Sequence, residues 1–242
     1  MLELRGVSKT FGPLKALDDV SLQVSDNVVA GLIGPNGSGK STLLHTIVAR
    51  VQADSGQMSV DGTDITTMSV PQRVRAGLSI KFQLPRIYRE LTPRDNLLLA
   101  AQRAESLGSL MLSRSRQRLQ LQIDETLERF RLADVGSRAA GALSHGQQQW
   151  LEIAMAMSVS PKVLLLDEPT GGMSPEERAW TGEIIHELSS RCSVLIVEHD
   201  LDWIRRLCDQ ITVLHQGRVV LTGTPAEIER DENVKEVYRA RV

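Results

Sequence analysis

The sequence predicts an α/β fold: a strand-rich core, a helical insertion, and a return to strand–helix alternation. Three observations lead there. A glycine-rich loop, Gly34 to Thr42, stands between the apolar run 28–33 and the helix-forming run 42–49. Helical patterning dominates from Pro93 to Ser160. After Pro161, two continuous apolar runs, 163–166 and 194–197, read as strands buried on both faces of a parallel sheet.

From the N-terminus, residues 2–7 and 17–24 alternate as half-buried strands do, and Phe11-Gly12-Pro13 separates them. Residues 28–33 form the strand that enters the glycine loop. Met58-Ser59-Val60 followed by Asp61-Gly62 predicts a strand running into a tight turn, and residues 78–82 predict another short strand. Within the insertion, Asp124 to Phe130 has helical character, and the basic stretch Ser113-Arg114-Ser115-Arg116-Gln117-Arg118 reads as a solvated helix or loop. Residues 176–190 place Trp180, Ile184, Ile185 and Leu188 on one helical face. Residues 211–214 and 219–221 predict a closing hairpin around Gln216-Gly217. The chain thus reads as one domain over 1–242, with a core of 1–90 and 161–242 and a helical part of 91–160.

Composition narrows the function. At 242 residues with 41% hydrophobic and 24% charged residues, the chain can bury a sizeable core. A net charge of −2 argues against a general nucleic-acid binder. Cys192 and Cys208 make neither a metal pattern nor a disulfide framework, which points to a reducing compartment and to packing roles for both thiols. No apolar run approaches the roughly 18 residues that cross a bilayer, and Met1-Leu2-Glu3-Leu4-Arg5 is not a signal peptide. Any role at a membrane therefore requires another chain to cross it.

Gly34-Pro35-Asn36-Gly37-Ser38-Gly39-Lys40-Ser41-Thr42 fits G-x-x-x-x-G-K-[ST] in the strand–loop–helix setting that this chemistry needs. Its glycines let backbone N–H groups curl around phosphate oxygens, and the helix N-terminus adds partial positive charge. Lys40 is placed to reach β- and γ-phosphates, and the Ser41 hydroxyl to ligate Mg²⁺. The run 163–166 ends in Asp167-Glu168, and ligands gather at the carboxyl ends of parallel strands. Asp167 suits Mg²⁺, usually held through water, and Glu168 suits a base that orients and deprotonates an attacking water. Leu143-Ser144-His145-Gly146-Gln147 supports two readings. Ser144 with Gln147 makes a capping box. The same helix start also offers N–H donors and a hydroxyl to an anion such as a γ-phosphate.

Phosphate loop, then Leu-Ser-x-Gly-Gln, then Asp-Glu at a strand end, with Ser144 23 positions before Asp167, resemble the ATP-binding subunit of ABC transporters over essentially the whole chain. The resemblance implies a RecA-like phosphate-loop core with an antiparallel β subdomain and an inserted α-helical signature subdomain. It implies ATP and Mg²⁺ at the site. Phe11 matches the aromatic that stacks on adenine, Gln83 the glutamine that touches Mg²⁺ and the attacking water, and His199 the switch histidine at the γ-phosphate. It further implies a head-to-tail pair of cassettes, in which Ser144, Gly146 and Gln147 of one close on ATP held by Lys40 of the other. Transmembrane permease subunits, and indirectly an extracytoplasmic solute-binding protein, complete the implied assembly. The resemblance implies a peripheral place for this chain, on the cytoplasmic face of the inner or plasma membrane.

Where the common family loop reads Ser-Ala-Leu-Asp, this chain has Gly171-Gly172-Met173-Ser174. That change, the segment 143–152, Phe82-Gln83-Leu84-Pro85 with Leu91-Thr92, and Val234-Lys235-Glu236-Val237-Tyr238 resemble importers of branched-chain amino acids and urea. Those importers use two different cassettes, which favours a hetero-pair. The alternative is a non-importer ABC ATPase: an exporter, a lipid-extraction subunit or a soluble mechanochemical ATPase.

Overall fold

Alternating burial along the first residues creates two strands, β1 (Leu2–Phe11) and β2 (Leu14–Val24), which bury Leu2, Leu4, Val7, Leu17, Val20, Leu22 and Val24. They pair antiparallel from Leu2↔Val24 to Phe11↔Leu14. Gly12, at φ +56, supplies the turn conformation that a side chain disfavours. β1 outruns the alternating stretch 2–7 because Lys9, Thr10 and Phe11 keep partners on β2. The computed structural model describes residues 1–82, 87–102 and 113–239.

β3 (Val29–Ile33) is buried throughout and feeds the glycine loop and α1 (Lys40–Ile47). β4 (Ser55–Val60) and β5 (Thr63–Asp64) flank the tight turn, where Asp61 and Gly62 both take positive φ, the geometry whose twist matches paired strands. α2 (Val70–Arg75) opens with a Ser69–Gln72 capping box and leads into β6 (Leu78–Lys81). Then come α3 (Pro93–Gln102), α4 (Ser113–Arg129), α5 (His145–Met157), β7 (Val163–Asp167) and α6 (Pro175–Ser189). The chain continues through β8 (Ser193–Val197), α7 (Leu201–Leu207), β9 (Gln210–His215), β10 (Arg218–Gly223), α8 (Pro225–Arg230) and α9 (Glu232–Arg239).

Two sheets result: an antiparallel one in the order β2-β1-β4-β5, and a six-stranded one in the order β10-β9-β3-β8-β7-β6. In the second, β3 lies parallel to β8 and β9, and β7 parallel to β8, which explains why these strands are apolar on both faces. The β9–β10 hairpin turns at Gln216 and Gly217, both at positive φ.

The chain divides into two compact units, Met1–Ile80 with Lys162–Glu168 and Ile185–Val242, and Lys81–Pro161 with Pro169–Ile184. The first holds both sheets except Lys81, the last residue of β6. In the second, the buried Asn96 side chain accepts from Tyr88 N–H and donates to the Tyr88 and Thr92 carbonyls, closing the turn before α3. Residues 169–184 group with this second unit. There Trp150 Nε1 donates to Thr181 Oγ1 at 2.9 Å, and the Arg131 guanidinium lies over the Trp180 ring, 3.5 Å from its centroid. Cys192 and Cys208 are buried free thiols of the first unit.

Candidate functional site

The sheet register builds the site. Leu32 of β3 and Asp167 of β7 both pair with Val197 of β8, so the three parallel strands end level. The chemistry sits just past each strand end: Gly34 to Gly39 after β3, Glu168 after β7, and His199 after β8.

The loop after β3 is drawn tight. A Cβ on Gly34 would lie 2.1 Å from the Leu214 carbonyl oxygen, and Gly39, at φ +107, would place one 2.6 Å from that of Ala16. Gly39 caps α1 with no side-chain hydrogen bond, which leaves the helix N–H groups to an anion. Lys40 Nζ donates to the carbonyls of Gly34 at 2.8 Å and Pro35 at 2.9 Å, folding the ammonium over the loop. The buried Ser38 hydroxyl has no hydrogen-bond partner among the described residues. Asn36, Gly37 and Ser41 are exposed, Pro35 and Thr42 half-buried. A cationic amine, a bare helix start and an orphan hydroxyl fit a polyphosphate.

Opposite stand the acids. Asp167 is half-buried at the last position of β7. Glu168 takes φ +45, a conformation costing a non-glycine residue about 1–3 kcal/mol, and its N–H donates to the Val197 carbonyl at 2.8 Å. His199 Nδ1 lies 3.8 Å from Glu168 Oε1 and 3.5 Å from Glu198 Oε2. The imidazole is 70% exposed, whereas Glu198 is buried at 1% and also accepts from the His199 N–H at 3.2 Å. Sequence reasoning missed Glu198. A carboxylate directly after an apolar strand normally faces water, and only the fold shows it turned beneath the imidazole. Phe11 is 46% exposed at the tip of the β1–β2 hairpin, with Lys9 Nζ 5.4 Å from its ring centroid. Gln83 lies outside the described residues.

Ser41 and Asp167 offer a hydroxyl and a carboxylate, the hard oxygen donors Mg²⁺ prefers. Among the described residues there is no cluster of three His, Cys, Asp or Glu.

The signature segment belongs to the second unit. Ser144 is the N-cap of α5: its Oγ accepts from Gln147 N–H at 3.2 Å, and Gln147 Oε1 accepts from Ser144 N–H at 3.0 Å. Both readings of this segment therefore share one geometry, a capped helix start. Gly146 is buried, and a Cβ there would lie 2.3 Å from Glu177 Oε1. The structure thus gathers the loop, Asp167, Glu168 and His199 in one unit, and Ser144, Gly146 and Gln147 in the other.

The sequence profile described as ABC transporter matches residues 17–171. The chain belongs to the ABC transporter family. LptB, the lipopolysaccharide export system ATP-binding protein of Haemophilus influenzae, is 33% identical over 98% of this chain and 96% of its own. The high-affinity branched-chain amino acid transport ATP-binding protein BraF of Pseudomonas aeruginosa is 34% identical over 98% and 97%. A solved nucleotide-free ATP-binding cassette from an ABC transporter superposes with a TM-score of 0.87 at 31% identity, covering 98% of each chain. The ADP conformation of an ATP-binding cassette gives 0.85 at 30%, covering 100% and 99%. This ABC cassette is an ATP-hydrolysing enzyme, the ATPase subunit of a transporter, with the α/β core and antiparallel β subdomain its sequence predicts. Among its described residues no helix is long and apolar enough to cross a membrane.

Proposed function

We propose that this cassette drives solute import, of urea, branched-chain amino acids or related small amides, by closing on ATP against a second cassette. One observation supports the closure: the phosphate loop with its acids, and the capped Ser144 helix start, belong to separate units. The importer reading is supported by Gly171-Gly172-Met173-Ser174, by Leu-Ser-His-Gly-Gln, and by relatives such as BraF and LivG. A second reading, export or lipid extraction, is favoured by LptB at similar identity.

The chain's residues divide the work. Phe11 stacks on the adenine. Lys40 leaves the Gly34 and Pro35 carbonyls for the β- and γ-phosphate oxygens, joined by the N–H groups of Gly37 to Thr42. Ser41, Asp167 and Gln83 would hold Mg²⁺, which would neutralise phosphate charge there. Glu168 orients a water and takes its proton as the water oxygen attacks the γ-phosphorus and the bond to ADP breaks. His199, steadied by Glu198, faces the γ-phosphate. Ser144, Gly146 and Gln147 of a second cassette, which the importer reading makes a different chain, close the other side. Charge-assisted bonds to the γ-phosphate hold the pair, and their loss after hydrolysis opens it. Permease chains take up this motion at the cytoplasmic face of the membrane, a solute-binding protein delivers cargo on the far side, and nucleic acid has no part.

Glu168→Gln tests the core of this reading. It should lower turnover about 100-fold or more while ATP stays bound and a dimer accumulates on gel filtration. Unchanged hydrolysis would remove Glu168 from the role of base. Uptake of labelled urea or leucine by cells expressing the cassette with its neighbouring permease genes, against release of lipid, decides direction.

A further inference from the structure

Two departures from the commoner family pattern meet in this fold. Position 145 is histidine where the common signature has glycine, and residues 171–174 read Gly-Gly-Met-Ser. His145 Nε2 lies 3.0 Å from the Gly171 carbonyl oxygen. A carbonyl only accepts, so Nε2 carries the proton and donates, in the neutral ring and in the imidazolium alike. Gly172 sits against the ring at φ +73, and a Cβ there would come 3.1 Å from His145 Cδ2 and 3.3 Å from Nε2. The positive φ thus favours glycine at 172, and a Cβ there would press on the ring. The Gln149 amide nitrogen lies 3.2 Å from the same ring nitrogen. Turning that amide over brings its oxygen, otherwise without a partner among the described residues, toward the Nε2 proton.

Neighbouring bonds extend the tie. Ser174 N–H donates to Glu177 Oε2 at 2.9 Å, and Glu177 N–H to Ser174 Oγ at 3.2 Å, capping α6. The other oxygen of Glu177 lies 3.5 Å from Ser144 Oγ, in space that Gly146 keeps open. The starts of α5 and α6 and the loop between Glu168 and α6 therefore form one hydrogen-bonded body.

We propose that His145 is a positioning residue: it fastens the start of the signature helix to the loop that follows Glu168 in the chain, so that engagement of ATP by Ser144 and Gly146 is passed to Glu168. A cassette with glycine at this position has no side chain to make the tie. The proposal rests on the reading of Ser144 as a phosphate contact and Glu168 as the base.

The test is steady-state ATP hydrolysis by the full chain carrying His145→Ala, His145→Gln, Gly172→Ala, the double variant His145→Ala/Gly172→Ala, or Ser144→Ala. His145→Ala should lower kcat about 5- to 20-fold with KM for ATP within about two-fold, the pattern of an interaction made in the transition state. His145→Gln, whose amide nitrogen reaches the place of Nε2 and keeps an N–H donor there, should recover most of that loss. The double variant should be no slower than His145→Ala, because both remove one contact. Turnover by His145→Ala within about two-fold of the parent overturns the proposal, as does a loss that His145→Gln leaves unrepaired and a lowered Tm accompanies. Ser144→Ala reports on the underlying reading separately. If it is slow while His145→Ala is silent, only the tie fails; if both are silent, both fail.

Discussion

Arg73→Met should destabilise the first unit severely, although Arg73 touches no proposed substrate atom. The residue is 2% exposed on α2 and directs its guanidinium at backbone carbonyls. Nη1 donates to Thr46 and Ile47 at 2.7 Å each, Nη2 to Thr66 at 2.8 Å, and Nε to Met68 at 3.1 Å. Two of those acceptors are C-terminal carbonyls of α1, the helix that starts at Lys40. Burial lowers the Arg73 pKa, opposed by the charge of Asp64, yet a guanidinium stays ionised. Methionine preserves most of the volume and removes four hydrogen bonds, leaving the Thr46 carbonyl only its bond from Ala49 N–H among the described residues. Hydrogen bonds to a charged group contribute about 1.5–3 kcal/mol each, and the relief of no longer burying a charge offsets part of the sum. A net loss of about 3–5 kcal/mol results, in line with breaking other buried charged networks. For a chain of this size about 2–4 °C accompanies each kcal/mol, so Tm should fall by about 10 °C. Circular-dichroism melts of the full chain measure it. Arg73→Lys belongs beside it and should fall between, since one ammonium cannot bridge carbonyls on both sides. A drop under about 2 °C in Arg73→Met would refute the reasoning.

Phe11→Ala should leave Tm nearly unchanged, because the ring is 46% exposed, but weaken ATP binding about 5- to 30-fold, measured by titration calorimetry. Equal affinity would remove Phe11 from the adenine. Burial pushes the Cys192 thiol up to about 11 and the Cys208 thiol higher still, with Asp209 adding to the latter. Neither should react with a thiol reagent at pH 8 until guanidinium unfolds the chain. Unfolded thiols ionise near about 8.5, so the folded state binds more protons above that pH. Their contribution to stability is therefore complete below it and lost as pH climbs through 11, and melts at pH 8 and 10.5 should show Tm falling.

The features legible without a structure were local. Strand, glycine loop and helix at 28–49, the Asp61-Gly62 and Gln216-Gly217 turns, and the Ser144–Gln147 capping box each depend on φ preferences, missing Cβ atoms or hydrogen bonds within a few residues. Those demands appear directly as residue types in order. The buried strands were equally legible, since parallel strands covered on both faces must be apolar at every position. Asp167 and Glu168 stood out because such a strand ended in two charges.

The rest required the register. Asp167 and Leu32 are brought level only because both pair with Val197, and a slip of one residue would turn every side chain of a strand to the other face. Arg73 reaches Thr46 across 27 positions and His145 reaches Gly171 across 26. Glu198 is turned under its own neighbour's ring. No residue type announces such contacts, because an arginine, a histidine or a glutamate satisfies itself equally well in water. The sequence by itself determined which segments could grip a phosphate. The packing of distant segments decided which polar groups meet, because only the folded chain brings positions 73 and 46, or 145 and 171, together.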